Sequence, residues 1–170
     1  VQTVNKILEL RLREGAAFQA TQAEVRKLEQ VLLKDPDVAF FTAYTGAGAP
    51  RFYLSLAPEL PNPGYAQFVI MTRDTRAREA LRTRLLSMFN EGATFPNLRG
   101  RVARLEFGPP VGFPVQFRVS GEDPAELKRI ADLVAEKVRD HPATVDTNAD
   151  WGDKVLALRV DVDQDRVRAL

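Results

Sequence analysis

The chain has 170 residues, of which 45% are apolar and 28% are charged, and its net charge is +1. This composition suits one globular domain or two small ones, with a core that needs no metal or disulfide for its stability. The near-zero net charge gives no electrostatic basis for binding nucleic acid, and the absence of cysteine excludes a thiol nucleophile, a thiolate metal site and disulfides.

The first predicted elements are a half-buried strand and an amphipathic helix. Leu8, Leu10 and Leu12 alternate with charged residues, which is typical of a strand with one apolar face. The segment Thr21–Glu24 has the residues of a capping box, so we expect a helix to begin near Thr21. The apolar residues of this helix recur at helical spacing, and they are Val25, Leu28 and Leu32.

A second stretch of strand, helix and strand follows. We predict strands over Val38–Tyr44 and Tyr65–Thr72, and a helix that Asp74 caps. A further strand is indicated by three alternating apolar residues, which are Ala103, Leu105 and Phe107. The order βαββαβ predicts an α+β fold, a ferredoxin-like sandwich with two helices on one face of an antiparallel sheet.

Residues beyond a seam rich in proline and glycine at 108–112 repeat the first half of this order. The alternation over 115–119 predicts a strand, and Asp123 followed by Pro124 predicts the start of a helix. We expect the helix to bury an apolar stripe, formed by Leu127, Ile130, Ala131, Val134 and Val138. Three further elements are predicted, namely a short strand over 144–148, a strand over 156–162 and a helix from Asp163. The sequence therefore predicts an incomplete second α/β module after the ferredoxin-like sandwich.

No motif in the sequence predicts a cofactor, a metal or a catalytic centre. The segment Gly46–Gly48 is not followed by the Gly-Lys-Ser/Thr of a phosphate-binding loop. Asp161, Asp163 and Asp165 are spaced like calcium ligands, but Arg166 stands where a calcium loop requires glycine. We therefore expect no cofactor, no metal site and no enzymatic activity.

The segment 108–123 resembles part of the second large periplasmic loop of resistance–nodulation–division (RND) efflux transporters. The family pattern there is a Pro-Pro-x-Gly turn, an alternating strand and Gly-x-Asp at a helix start. This chain has the turn at Pro109–Gly112 and the helix start at Gly121–Asp123. Other segments resemble the family in the same order, with Arg13 at a usual proline and Val167 at a usual alanine.

The resemblance implies a porter-domain fragment of a proton-driven exporter, in the periplasmic part of a bacterial inner-membrane protein. It divides the chain into a first porter subdomain at 1–112, the start of a second, incomplete one at 113–152, and the first strand and helix start of a docking insertion at 153–170. The implied partners are the rest of the same transporter chain in a homotrimer, a periplasmic adaptor, an outer-membrane channel, and small hydrophobic or amphiphilic substrates.

The resemblance also implies a substrate cleft between the two porter subdomains. Tyr44 and the loop that begins with Thr45, Gly46 and Gly48 fall where the family has a glycine-rich loop that lines this cleft. Glycine permits backbone rearrangement at little steric cost, which suits such a loop. An ordinary flexible connection is the alternative interpretation of the same residues.

Three residues beyond the seam are candidate substrate contacts on the other wall of the cleft. Phe113, Val115 and Phe117 fall on the strand that enters the cleft in the family, and aromatic rings there suit chemically varied ligands. The alternative is that Phe113 and Phe117 are core residues. The alternation of Phe117 with its neighbours favours the core for that residue.

A free-standing ferredoxin-like small-molecule-binding or regulatory domain is the alternative function. The fold alone does not decide between the two, because it hosts many unrelated functions. Apolar segments of about 20 residues on both sides of the chain would favour the exporter.

Overall fold

In the computed structural model the described residues are 5–52, 56, 59–104, 113, 115–144, 147–152, 155, 156 and 159–168. Those up to position 104 form four strands and two helices. In chain order these are β1 (Asn5–Leu12), α1 (Phe18–Lys34), β2 (Val38–Thr45), β3 (Tyr65–Thr72), α2 (Thr75–Glu91) and β4 (Leu98–Arg104). Two further helices, α3 (Pro124–Arg139) and α4 (Gln164–Arg168), lie in the described residues beyond them.

The four strands form one antiparallel sheet in the order β2–β3–β1–β4. The register places Leu8 of β1 opposite Phe68 of β3 and Val102 of β4. The chain order βαββαβ, with β1 and β3 in the centre and the strands β2 and β4 at the edges, is the ferredoxin-like arrangement. The predicted α+β fold class is therefore confirmed.

One face of the sheet, the first face, packs against α1 and α2 to form the main core. Both helices contribute an apolar stripe, and that of α1 is the predicted one. The buried apolar residues of the two stripes are Val25, Leu28, Leu32, Ala77, Leu81 and Leu85. From the central strands, Leu8, Leu10 and Phe68 are fully buried beneath them. Gly100 lets α2 approach β4 closely, because a Cβ atom at that position would lie 2.5 Å from the ring of Phe89.

Two of the four predicted helix starts are confirmed by their caps. The Asp74 carboxylate accepts a hydrogen bond from the Ala77 N–H at 2.7 Å, and that of Asp123 accepts one from the Ala125 N–H at 2.9 Å. The capping box predicted at Thr21 is wrong, because α1 begins three residues earlier. The Thr21 hydroxyl instead donates to the carbonyl oxygen of Pro63 at 2.6 Å, so a tertiary contact uses the group that would have capped the helix.

The last strand of the sheet begins earlier than its alternating apolar residues indicate. β4 starts at Leu98 and contains Ala103, whereas Leu105 and Phe107 lie outside the described residues. Arg99, Gly100 and Arg101 interrupt the apolar alternation at the start of the strand, so the hydrophobic pattern does not indicate it there. The pairing with β1, from Lys6 opposite Arg104 to Leu12 opposite Leu98, defines it in the structure.

The second module departs from its prediction. The strand predicted over 115–119 is wrong: this segment is irregular, and Val115 and Phe117 are 71% and 66% exposed. The predicted apolar stripe of α3 is not buried, because the helix has no buried residue. The described residues of the strand predicted over 156–162, and those at 144, 147 and 148, are also irregular. An alternating segment becomes a strand only where a neighbouring strand supplies hydrogen bonds, and no described segment does so here.

Of the remaining features predicted beyond residue 104, one helix is confirmed and the seam cannot be compared with the structure. The helix predicted from Asp163 is confirmed as α4. The seam at 108–112 lies outside the described residues. None of the helices in the described part of the chain is long and apolar enough to cross a membrane.

Lys6, near the start of β1, is a buried cation on the first face of the sheet. Its ammonium nitrogen has no hydrogen-bond partner among the described residues and lies 3.8 Å from a carboxylate oxygen of Glu79. Burial lowers the pKa of Lys6 to about 8, against the attraction of Glu79. Hydrogen bonds from Arg104 and then Arg78 hold the pKa of Glu79 down to about 2, so this carboxylate has partners besides Lys6.

We expect Lys6→Met to raise stability at pH 7. In the wild type the folded state releases the lysine proton near pH 8 and the unfolded chain near pH 10.5. The unfolded state therefore binds more protons between these values, and the free energy of unfolding rises with pH there. Removing the desolvated charge should raise this free energy at pH 7 by about 1–3 kcal/mol and abolish the rise. Urea unfolding of Lys6→Met from pH 6 to 11, with the exposed Lys34→Met as control, checks this. A less stable Lys6→Met variant at pH 7 would contradict it.

Candidate functional site

The second face of the sheet, opposite the two packed helices, carries a row of polar side chains. The register aligns one residue from each strand, with Tyr44 opposite Gln67, Gln67 opposite Glu9, and Glu9 opposite Arg101. Side chains of residues that face each other across a sheet lie on the same face. We call these four residues the polar row. It crosses the whole sheet from the β2 edge to the β4 edge.

Described residues of the loop 46–64 pack onto the second face at the β2 end of the polar row. The Ala49 N–H donates to the Gln67 side-chain oxygen at 2.7 Å, and Ala49 and Leu56 are buried with Ile7 of β1. At the start of the loop, the Gly46 N–H donates to the carbonyl oxygen of Tyr65 at 2.8 Å. The described part of this loop is therefore anchored by hydrogen bonds, in contrast to the loose connection that its composition indicates.

Glycine is required at positions 46 and 48 by the backbone conformation or by close neighbours. Gly46 has a φ of +79°, a left-handed conformation that side chains disfavour, and the Phe18 ring would lie 2.9 Å from an added Cβ. At Gly48 an added Cβ would lie 3.0 Å from that of Glu59. Thr45, opposite Ala66 in the register, is half-buried at the end of β2.

Tyr65 is fully buried beside the polar row, two residues before Gln67 on β3. The guanidinium of Arg11 lies 4.8 Å from the centre of its ring and is paired with the Glu59 carboxylate. Burial raises the pKa of Tyr65 far above its usual range, and the negative charges of Glu9 and Glu59 act in the same direction. The phenol therefore stays protonated and can donate a hydrogen bond at any physiological pH.

Two buried polar atoms on this face have no hydrogen-bond partner among the described residues. They are the hydroxyl oxygen of Tyr65 and the side-chain nitrogen of Gln67. The two residues are 0% and 1% exposed. Leaving such a donor unpaired in a protein interior costs roughly 1–3 kcal/mol, and such groups therefore call for a specific explanation.

Phe113 lies at the opposite end of the polar row. The Arg101 guanidinium is 4.6 Å from the centre of its ring, at the distance of a cation–π contact. Arg101 also lies 3.8 Å from the Glu9 carboxylate. Tyr44 and Arg101, whose guanidinium contacts Phe113, are on the same face at opposite edges of the sheet, about 14 Å apart at three strand spacings.

The other sequence candidates lie outside this arrangement. Val115 and Phe117 are largely exposed, so the core interpretation of Phe117 is wrong. Six residues of the site were missed by sequence reasoning, namely Glu9, Arg11, Glu59, Tyr65, Gln67 and Arg101. The available signal was Gln67, a polar residue within the otherwise apolar strand 65–72. The charges of Glu9 and Arg11 indicated only a solvated strand face.

The arrangement is suited to binding. It combines two unpaired donors with two ion pairs, Arg11–Glu59 and Arg101–Glu9, whose charges cancel. No group of three His, Cys, Asp or Glu side chains that could hold a metal occurs among the described positions.

The comparisons with known proteins found a structural similarity but no match to a family model or a curated protein. No family model and no curated protein matches the chain. Among solved structures, an antibiotic biosynthesis monooxygenase is similar with 17% sequence identity and a TM-score of 0.37, over 62% of this chain and 99% of that one. A likeness at this level carries no argument about activity.

We expect the two buried polar side chains to affect stability in opposite directions. Tyr65→Phe removes a hydroxyl whose desolvation no hydrogen bond offsets, so the free energy of unfolding should stay equal or rise by up to about 2 kcal/mol. Gln67→Leu removes the acceptor of the Ala49 N–H and should lower it by about 1–3 kcal/mol. Urea unfolding measures both. A marked loss of stability in Tyr65→Phe would mean that its hydroxyl has a structural partner.

Proposed function

We propose that this chain is a ferredoxin-like domain that binds a small molecule on the second face of its sheet. The observation that carries the proposal is the pair of unpaired donors, the Tyr65 hydroxyl and the Gln67 side-chain nitrogen. A bound ligand with hydrogen-bond acceptors would satisfy both and remove the cost of leaving them unpaired. Few but well-placed polar groups among apolar ones are typical of small-molecule sites.

The surroundings of the two donors indicate an uncharged or amphiphilic ligand. The guanidiniums of Arg11 and Arg101 are each paired with a carboxylate, so neither offers an unbalanced charge to an ionic ligand. Apolar contact is available from Ile7, Val69 and Leu56, which cluster with Tyr44. The expected ligand has carbonyl, ether or hydroxyl oxygens on an apolar body.

Access to the donors requires a movement of the loop 46–64. Tyr65 and Gln67 have almost no exposed surface, and the hydrogen bond from Ala49 to Gln67 holds the loop against the sheet. Ligand binding would replace this loop contact. Gly46 and Gly48 add no side chains to this loop, and opening a loop locally costs less than unfolding the sheet, although its described residues make several hydrogen bonds.

We expect Tyr65→Phe to weaken ligand binding about tenfold or more without loss of stability, since one hydrogen bond to a buried acceptor is worth about 1.4 kcal/mol. A panel of neutral and amphiphilic compounds is screened by thermal shift, and hits are measured by calorimetry on the wild type and Tyr65→Phe. Thr83→Ala, exposed on α2 over the first face, is the control. Equal affinity of Tyr65→Phe and the wild type for every hit would overturn the proposed site.

A second, more specific function is that of a porter-domain fragment of an RND exporter, as the sequence resemblance implies. One observation favours it beyond the resemblance: the described residues after 113 expose many large apolar side chains. They include Val115, Phe117, Leu133, Trp151, Val155, Leu156, Val160, Val162 and Val167, each at least 47% exposed. Apolar surface of this extent is typical of a segment that packs against other parts of an assembly.

In the exporter the second face would form a wall of the substrate cleft. Tyr44 and Phe113, at the two edges of that face, would contact the substrate as it passes, and Phe113 would offer its ring as apolar surface. The cycle would be conformational, with the cleft opening to admit substrate and closing to expel it as sheets move about loop hinges. Proton transfer at acidic residues of membrane helices outside this chain would drive it.

Gene deletion tests the exporter. Deleting the gene that encodes this chain should increase sensitivity to some members of a panel of drugs, dyes, detergents and metals. Wild-type and Thr83→Ala genes should restore resistance, and Phe113→Ala should restore it less, because it removes apolar surface at the cleft. Unchanged sensitivity to the whole panel would contradict this function.

Under this function the isolated chain binds the compounds poorly, so saturable binding in calorimetry favours the free-standing domain.

A further inference from the structure

The two edge strands of the sheet carry different side chains. β4 has three arginines, Arg99, Arg101 and Arg104, whereas β2 (Val38–Thr45) contains no charged residue, no proline and no glycine. Edge strands expose unpaired backbone N–H and C=O groups, and proteins protect them with charged residues, proline or bulges. The β4 edge has this protection, and β2 has only a register shift near its first residues, between Val38 and Phe40.

Exposed apolar side chains lie on both sides of the β2 edge. Phe40 is 58% exposed on the second face, and Thr42 follows it as an exposed residue on the same face. On the first face, α1 packs over β2, and Leu33 of that helix is 67% exposed. A free strand edge with exposed apolar side chains around it is a surface that another chain can extend.

We propose that β2 pairs antiparallel with β2 of a second copy of this chain, which joins the two sheets into one of eight strands. The free backbone N–H and C=O groups of an edge strand form hydrogen bonds with another extended backbone, so the expected partner is a strand. An identical strand suits this edge because β2 has no charge that would repel its copy. At the other edge, self-pairing of β4 would place guanidiniums of the two copies against one another.

The symmetry of the pair restricts the register. A two-fold axis perpendicular to the sheet keeps the helices of both copies on one face, so residues that share a face must lie opposite each other. An axis at Thr42 satisfies this condition. It places Thr42 opposite its own copy, and Phe40 opposite Tyr44 of the partner subunit. Aromatic pairs and threonine pairs are among the favourable cross-strand contacts in antiparallel sheets. The interface shares Tyr44 with the polar row, but the pairing of the two strands does not depend on ligand binding.

Cysteine cross-linking tests the register directly, because the chain has no cysteine. Opposite residues of an antiparallel pair have Cα atoms about 4.5–5.5 Å apart, which is within the range of a disulfide. Under mild oxidation Thr42→Cys should form a covalent dimer. Thr83→Cys, exposed on α2, should remain monomeric under the same conditions.

A charge substitution tests the dimer in solution. Thr42→Lys places two ammonium groups opposite each other and should raise the dimer dissociation constant about fivefold or more, whereas Thr83→Lys should leave it unchanged. Analytical ultracentrifugation across a concentration series measures this, with circular dichroism to confirm that both variants are folded. The proposal is overturned by a wild-type chain that remains monomeric at millimolar concentration. It is equally overturned by a dimer that Thr42→Lys does not weaken.

Discussion

β1 lies between β3 and β4, and its alternation of side chains is the constraint on which both faces of the sheet depend. Leu8 and Leu10 are fully buried beneath the helices, so the period of two sends Ile7, Glu9 and Arg11 to the opposite face. A slip of one residue would place charges in the core and leucines outside it. Burial of the leucines on the first face thereby determines that Glu9 lies in the polar row on the second face.

The two faces deal with buried polar groups in different ways. On the first face, the ammonium of Lys6 lies near the Glu79 carboxylate, which Arg104 and Arg78 also hold. On the second face, the hydroxyl of Tyr65 is buried without any hydrogen-bond partner in the described chain. The Lys6 ammonium has a counter-charge 3.8 Å away, whereas the neutral Tyr65 hydroxyl has no partner in the described chain that would offset its desolvation. This difference is why the second face, and not Lys6, is the candidate site.

Three surfaces of the described chain are candidates for contact with other molecules, and they differ in chemistry. The second face offers hydrogen-bond donors under a displaceable loop, and the β2 edge offers a backbone free of charged side chains. The segments after residue 113 offer scattered apolar side chains and a helix, α3, with no buried residue. The first suits a small molecule, the second a strand, and the third the remainder of an assembly.

The sequence by itself determined the elements that local chemistry specifies. The leucine alternation of β1, the caps Asp74 and Asp123, and the βαββαβ order are written in neighbouring residues, and the structure contains all of them. Only the tertiary structure decided that Thr21 binds the Pro63 carbonyl and does not cap α1, and that 115–119 is not a strand. It also decided that Tyr44, Gln67, Glu9 and Arg101 form one row. Caps and alternation act within a few residues, whereas ladder pairing and the burial of a donor depend on segments distant in the chain.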